Sequence, residues 1–441
     1  MNSSVTAHRS AILHCLADPD QQIDAADSSI ESTYQYLADG VIIVKEGLIQ
    51  QIGDAEQVLQ LYPNIAVTEH HNKLIVPGFI DTHIHYPQTG VVASFGEQLL
   101  DWLENYTFPA EGKFSDLQHC RETAKFFIQE LLKNGTTTAL VFGTVHKESV
   151  EAFFDEADKQ HLRMIAGKVM MDRNAPDYLT DTPQSSYDDS KELIERYHGK
   201  NRLSYAVTPR FAPTSSEQQL AMAGKLLQEY PDVYLHTHLS ENKQEIAWVN
   251  ELFPESKNYL DVYDRFNLLT PRSVFAHAIH LDDSECQRLA QTDSAVAFCP
   301  TSNTFLGSGL FNLKKMQRHQ VKVALGTDIG GGTSFSMLQT MQEAYKVCQL
   351  AQQQMNPFKA FYLATLAGAE ALQLADKIGN LAAGTEADFV ILDLAATPLM
   401  EYRMKNVTSI EEQLFILMIL GDDRAIAATY SFGECVYKKP A

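Results

Sequence analysis

From residue 137 to residue 328 the chain repeats one arrangement: a short apolar run rich in β-branched residues, then a stretch of helical periodicity. TTALVF (137–142), LSYAVTPR (203–210), VYLHTHLS (233–240), SVFAHAIHL (273–281), SAVAFCP (294–300) and VKVALGTD (321–328) have the character of strands. LQHCRETAKFFIQELLKNG (117–135), closed by a glycine suited to a helix C-terminus, and SEQQLAMAGKLLQEYPD (216–232) have the character of helices. A helix between two strands returns the chain to the end where it started, so such strands lie parallel. The number of units predicts an α/β chain closed into a (β/α)8 TIM barrel; an open doubly wound sheet is the alternative.

Strand-like runs at both ends of the chain fall outside this alternation. VIIV (41–44) and LIQQIG (48–53) read as a small meander, answered by ADFVILDL (387–394) and AIAATYSF (425–432). The expectation is a barrel over residues 76–375 with a small β-sandwich domain built jointly from 1–75 and 376–441. A chain of 441 residues is long enough for both.

Composition narrows the function classes. The hydrophobic fraction of 45% and charged fraction of 21% are those of a globular protein with an ample core. A formal net charge of −21 repels phosphate backbones and anionic headgroups, so neither nucleic acid nor a membrane surface is an expected partner. The six cysteines are scattered without a CxxC pair, as expected of reduced thiols in the cytoplasm. The opening MNSSVTAHRSAILHCLADPD lacks the basic and long apolar regions of a secretion leader, and LFILMILG (414–421) is too short to span a bilayer.

Polar residues then collect where the strands end, the face that carries chemistry in a barrel. PGFIDTHIHYPQ (77–88) holds His83 and His85; residues two apart in a strand point the same way, so both imidazoles can face one ion. His238 ends VYLHTH with Glu241 three residues on, His277 lies in SVFAHAIH, and Asp328 follows VKVALGT before three glycines. Singly, each has a plainer explanation: a packed histidine, a solvated glutamate, an aspartate capping a turn. Together they occupy four strand ends, and three histidines with one carboxylate suit a catalytic zinc or iron with an open position. His236 and His280 are out of phase or beyond their strands and are expected to pack around the site.

The order HxH, His with Glu three on, His, then Asp resembles the amidohydrolase superfamily in its single-metal branch. The resemblance spans nearly the whole chain, since GNLAAGTEADFVILD (379–393) is similar to that superfamily's return to its β-sandwich. GEQLLDWLENYTFPAE (96–111), GKVMMDRNAPDYL (167–179), TPRFAPTSS (208–216), HTHLSEN (236–242) and CPTSNTFLGSG (299–309) are most similar to its guanine-deaminating members. That resemblance implies one zinc per chain, with iron(II) the alternative, held by His83, His85, His238 and Asp328. It implies hydrolysis of guanine to xanthine and ammonia, with Glu241 shuttling protons, Asp328 accepting the proton of water and His277 holding the water. Gln88, Arg210 and Phe211, beside His85, His238, Glu241 and Asp328, are implied as substrate contacts, Lys168 as non-ligating, and a homodimer as the assembly. Three alternatives stay open at this point: another heterocycle (cytosine, 8-oxoguanine or a triazine), a two-metal amide hydrolase using a modified Lys168, and a non-catalytic scaffold.

Overall fold

The structure is a computed structural model, and it describes residues 5–20, 30–95 and 98–440. Met1–Ser4 at the start of the opening segment and Gly96 and Glu97 at the start of the 96–111 motif lie outside the described residues.

Eight parallel strands form the centre: β1 (Phe79–His85), β2 (Thr136–Phe142), β3 (Arg163–Gly167), β4 (Ser204–Pro209), β5 (Tyr234–Leu239), β6 (Ser273–His277), β7 (Ala295–Phe298) and β8 (Lys322–Leu325). They pair in chain order, and a two-residue strand at Val169–Met170 adds to β4. All seven residues of β2, TTTALVF, are buried. Inward side chains fill the barrel and outward ones lie under helices, which is why such strands read as continuous apolar runs rather than alternating ones. The helix Leu117–Lys133 starts at Asp116, whose carboxylate accepts from the Gln118 N–H, and stops before Gly135. Gly135 lies in the left-handed region at φ +80°, which glycine adopts without steric penalty.

The barrel closes between β1 and the turn after β8. The Asp328 N–H donates to the His83 carbonyl at 2.9 Å and the His85 N–H to the Ile329 carbonyl at 2.8 Å. β8 therefore ends earlier than the 321–328 run suggests, and Asp328 stands beyond it at φ +52°. This conformation is costly for a residue with a side chain and is held only by its surroundings.

Both termini contribute to one seven-stranded sheet, in the spatial order Glu434–Lys438, Ile426–Ser431, Phe389–Asp393, Val67–Pro77, Thr6–Cys15, Tyr34–Lys45, Leu48–Asp54. Only Thr6–Cys15 against Val67–Pro77 is parallel. Period-two alternation lets its central strands serve two cores. Leu74, Val76, Val390 and Leu392 join the barrel's cluster, while Ile75, Phe389 and Ile391 pack with Ile12, Ile42 and Val44 on the other side.

A buried ion network ties this sheet to the amino-terminal end of the barrel. Glu386 accepts from Arg163 Nε at 2.8 Å and Arg202 Nε at 3.0 Å, and Arg202 also pairs with Asp388. Replacing Glu386 by alanine takes the carboxylate partner from Arg163 in a largely dry setting and leaves Arg202 with Asp388. Glu386→Ala is expected to cost about 3–5 kcal/mol, the usual result of breaking a buried pair from one side. Denaturant unfolding of the two proteins measures it, and an unchanged midpoint would show the network to be dispensable.

Candidate active site

Asp81, His83 and His85 lie two apart on β1, so their side chains share one face. Asp81 is fully buried and accepts from the His83 N–H at 3.2 Å and from the Thr327 N–H at 3.0 Å, as well as from the Thr327 hydroxyl. Burial pushes its carboxyl up to about 7, opposed by those hydrogen bonds. Next to Thr327, Gly326 admits no side chain: a Cβ there would stand 2.9 Å from His83 Cβ and 3.1 Å from Cys299 Sγ. The backbone around HxH and GTD is thus packed as one unit.

On this frame four groups converge. His85 Nε2 lies 3.2 Å from His83 Nε2, 3.2 Å from His238 Nε2 and 3.3 Å from Asp328 Oδ1, and His83 Nε2 lies 3.2 Å from the same oxygen. All four residues are buried, and their ligand atoms lie within 4.8 Å of one another. Tetrahedral ligation with bonds of about 2.0–2.2 Å separates ligand atoms by about 3.3 Å, so the spacing fits a metal ion of zinc's size. Burial lowers the pKa of all three histidines, His85 to about 3, which leaves neutral rings with lone pairs to offer. Burial alone would raise the Asp328 carboxyl, but the His83 and His85 rings bring it well below the usual range.

The outer ring nitrogens set the tautomers. His238 Nδ1–H donates to the Arg210 carbonyl at 2.7 Å, which turns its Nε2 lone pair to the centre. His83 Nδ1 meets His236 Nε2 at 2.7 Å. His236 is therefore not out of phase: two residues before His238, it shares that residue's face and backs the His83 ring. The His85 ring is stacked on Phe142, centroids 4.5 Å apart. Lys168 is turned away, its Nζ on Asp181 and 3.2 Å from the Val169 carbonyl. His280 Nε2 donates to the Ser308 carbonyl at 2.9 Å, outside the cluster.

Beside the quartet, His277 Nε2 lies 3.7 Å from Asp328 Oδ2 and 3.4 Å from Glu241 Oε2. Its Nδ1 is fixed against Asn303 Oδ1 at 2.9 Å. Glu241 accepts from the Ser308 hydroxyl at 3.1 Å, and its backbone N–H is held by Glu245 Oε2 at 2.9 Å. Burial, reinforced by the Asp328 charge, raises the Glu241 carboxyl to about 8, so it holds a proton at neutral pH.

A cavity opens over these groups. His85, His238, Glu241, His277 and Asp328 line it together with Gln88, Arg210 and Phe211 and the apolar side chains of Leu99, Trp102, Leu103 and Leu306. Every predicted site residue is thus at one place, His83 lying just behind the cavity wall. Sequence reasoning missed Asp81, Asn303, Ser308, Glu245 and Glu111. Period two along β1 was a usable signal for Asp81; the other four arrive on separate loops and helices.

The comparisons with known proteins agree with this geometry. The model of the amidohydrolase family matches residues 74–436. The chain belongs to the amidohydrolase family. Among amidohydrolases of known activity, it is 56% identical over 411 residues to the guanine deaminase of Escherichia coli (strain K12), covering 93% of this chain and 94% of that protein. The solved E. coli guanine deaminase superposes with a TM-score of 0.95 at 53% identity, over 99% of this chain and 100% of that one. The guanine deaminase from C. acetobutylicum, solved with guanine in its active site, superposes with a TM-score of 0.88 at 30% identity, over 98% and 100% of the two chains.

Elemental analysis of the purified protein should find one divalent ion per chain, and His238→Ala should lose it. A stoichiometry of two would contradict a four-ligand site that leaves Lys168 aside.

Proposed function

We propose that this amidohydrolase hydrolyses guanine to xanthine and ammonia. The observation that carries the reading is the joint lining of one cavity by His85, His238 and Asp328 of the metal-ready quartet, by Glu241 and His277, and by Gln88, Arg210 and Phe211. The identity with guanine deaminases over almost the whole chain supports the same substrate.

We assign zinc to His83, His85, His238 and Asp328, one per chain; bound there, it supplies Lewis-acid activation of water at neutral pH. The remaining work falls to the side chains. Asp328 Oδ2, the oxygen turned toward His277, takes a proton from the attacking water, and His277 holds that water against the ring face. Glu241 starts protonated and donates to the ring nitrogen next to the carbon that bears the amine. This makes that carbon electron-poor as its new C–O bond forms. Glu241, now a carboxylate, takes the proton of the newly added hydroxyl and passes it to the exocyclic nitrogen. The C–N bond breaks, the carbonyl of the product forms and ammonia leaves. Gln88 and Arg210 address the polar edge of the purine and Phe211 walls its face. The apolar lining of Leu99, Trp102, Leu103 and Leu306 limits water around the reacting groups.

Three further properties belong to the same proposal: a barrel over 76–375 with the terminal domain from 1–75 and 376–441, a homodimeric assembly, and a cytoplasmic location. No helix among the described residues is long and apolar enough to cross a membrane, and the six cysteines carry free thiols, as suits a reducing compartment.

Incubation of zinc-loaded protein with guanine, adenine, cytosine and 8-oxoguanine, followed by ammonia release, tests the substrate; no release from guanine ends the assignment. Glu241→Gln should retain its metal and lose about 10²–10⁴-fold in kcat, the usual contribution of a general acid–base group. An unchanged rate would remove Glu241 from its role.

A further inference from the structure

Glu111 is buried, 1% exposed, at the end of the short helix Phe108–Glu111. It does not line the cavity, yet each of its carboxylate oxygens is taken by a residue that does. Oε1 accepts from Gln88 Nε2 at 3.0 Å and Oε2 from Arg210 Nη1 at 2.7 Å. The Gln88 Oε1 in turn accepts from the Gly330 N–H at 3.2 Å. A carboxylate accepts only from the NH2 side of an amide, and a backbone N–H donates only to its carbonyl side. The two contacts therefore exclude the flipped amide and leave one N–H of Gln88 free to donate. Arg210 is held from two sides: Glu111 pairs its charge, and the Phe108 ring lies 5.5 Å from its guanidinium carbon.

We propose that Glu111 is a positioning residue that fixes Gln88 as a donor and cancels the Arg210 charge, so that this part of the cavity binds a neutral purine and does not hold the anion of the product. The argument rests on Gln88 and Arg210 being substrate contacts, as proposed above. Hydrolysis replaces the amine by a carbonyl, and the resulting purinedione carries N–H groups flanked by carbonyls that ionise more readily than those of the substrate. Beside an unpaired guanidinium in a dry cavity, that anion would be retained by direct Coulomb attraction. With Glu111 in place, opposite charges act from nearly one location and their fields largely cancel.

The test is direct binding by calorimetry to metal-loaded protein in a Glu241→Gln background, slowed in turnover so that guanine persists through the titration. Guanine and xanthine are the probes, at one pH below and one above the first ionisation of xanthine. Glu111→Gln should tighten xanthine relative to guanine roughly tenfold at the higher pH only, the scale of one uncancelled charge at partial screening. Arg210→Gln leaves Glu111 unpaired and should shift the same ratio the opposite way; it carries the test if Glu111→Gln does not accumulate as folded protein. In the double variant the ratio should return toward that of the parent. A ratio unmoved in the single variants, or moved equally at both pH values, overturns the charge-cancelling role and leaves Glu111 a structural residue. Ammonia release from guanine by the protein with Glu241 intact is measured alongside: its absence refutes the proposed reaction, while the binding ratios still decide the role of Glu111.

Discussion

The backbone hydrogen bonds that close the barrel, Asp328 to His83 and His85 to Ile329, also assemble the site. An ion requires its ligand atoms within a few ångströms, and these two pieces of chain come from opposite ends of the barrel. Asp81 and Thr327, 246 residues apart, lock the same seam, with the Asp81 carboxylate accepting from backbone on both sides of it. Closure and metal geometry are therefore one structural fact. An error in the β1 register would open the seam and turn both histidines to the wrong face together.

Burial then sets the protonation states that the chemistry needs. The same desolvation acts with opposite chemical result on two residue types. It lowers the pKa of His83, His85 and His238, the direction that the proposed ligand role needs, and raises that of Glu241 to about 8, the direction that the proposed acid role needs. Asp328 moves the other way from Glu241: against burial, which raises it, the His83 ring and hydrogen bonds from the His83 and His85 rings hold its carboxyl below the usual range. The pKa values of two carboxyl groups lining one cavity are thus moved in opposite directions, the arrangement that the proposed division into proton acceptor and proton donor needs.

Much of this could be read along the chain. The strand–helix alternation named the barrel because β-branched runs between amphipathic helices have few other ways to bury themselves. HxH, His238, Glu241, His277 and Asp328 were visible because each sits at a strand end in a regular pattern. The polar groups that hold them were not. Asn303 reaches His277 from the helix after β7, Ser308 reaches Glu241 from the loop beyond it, and Glu111 comes from the connection between β1 and β2. No spacing rule relates these residues to their partners, because loops follow no fixed period. His236 packs around the site as expected, but its phase was misread. Its alternation with His238 was plain, but which residue it would meet depended on how β5 faces β1 across the barrel.

The amino-acid sequence by itself determined the α/β architecture and brought His83, His85, His238, Glu241, His277 and Asp328 forward as strand-end candidates. Both follow from local periodicity and side-chain chemistry, which are properties of short stretches. The ligand and proton-transfer roles proposed for these residues came from the family resemblance. Only the tertiary structure decided which nitrogen of each imidazole faces the centre, that Asp328 leaves its strand in a left-handed turn, and that Glu111 neutralises Arg210. Such features depend on distances between segments far apart in sequence. They are set by how the barrel closes and how its loops pack over the opening, which no local pattern encodes.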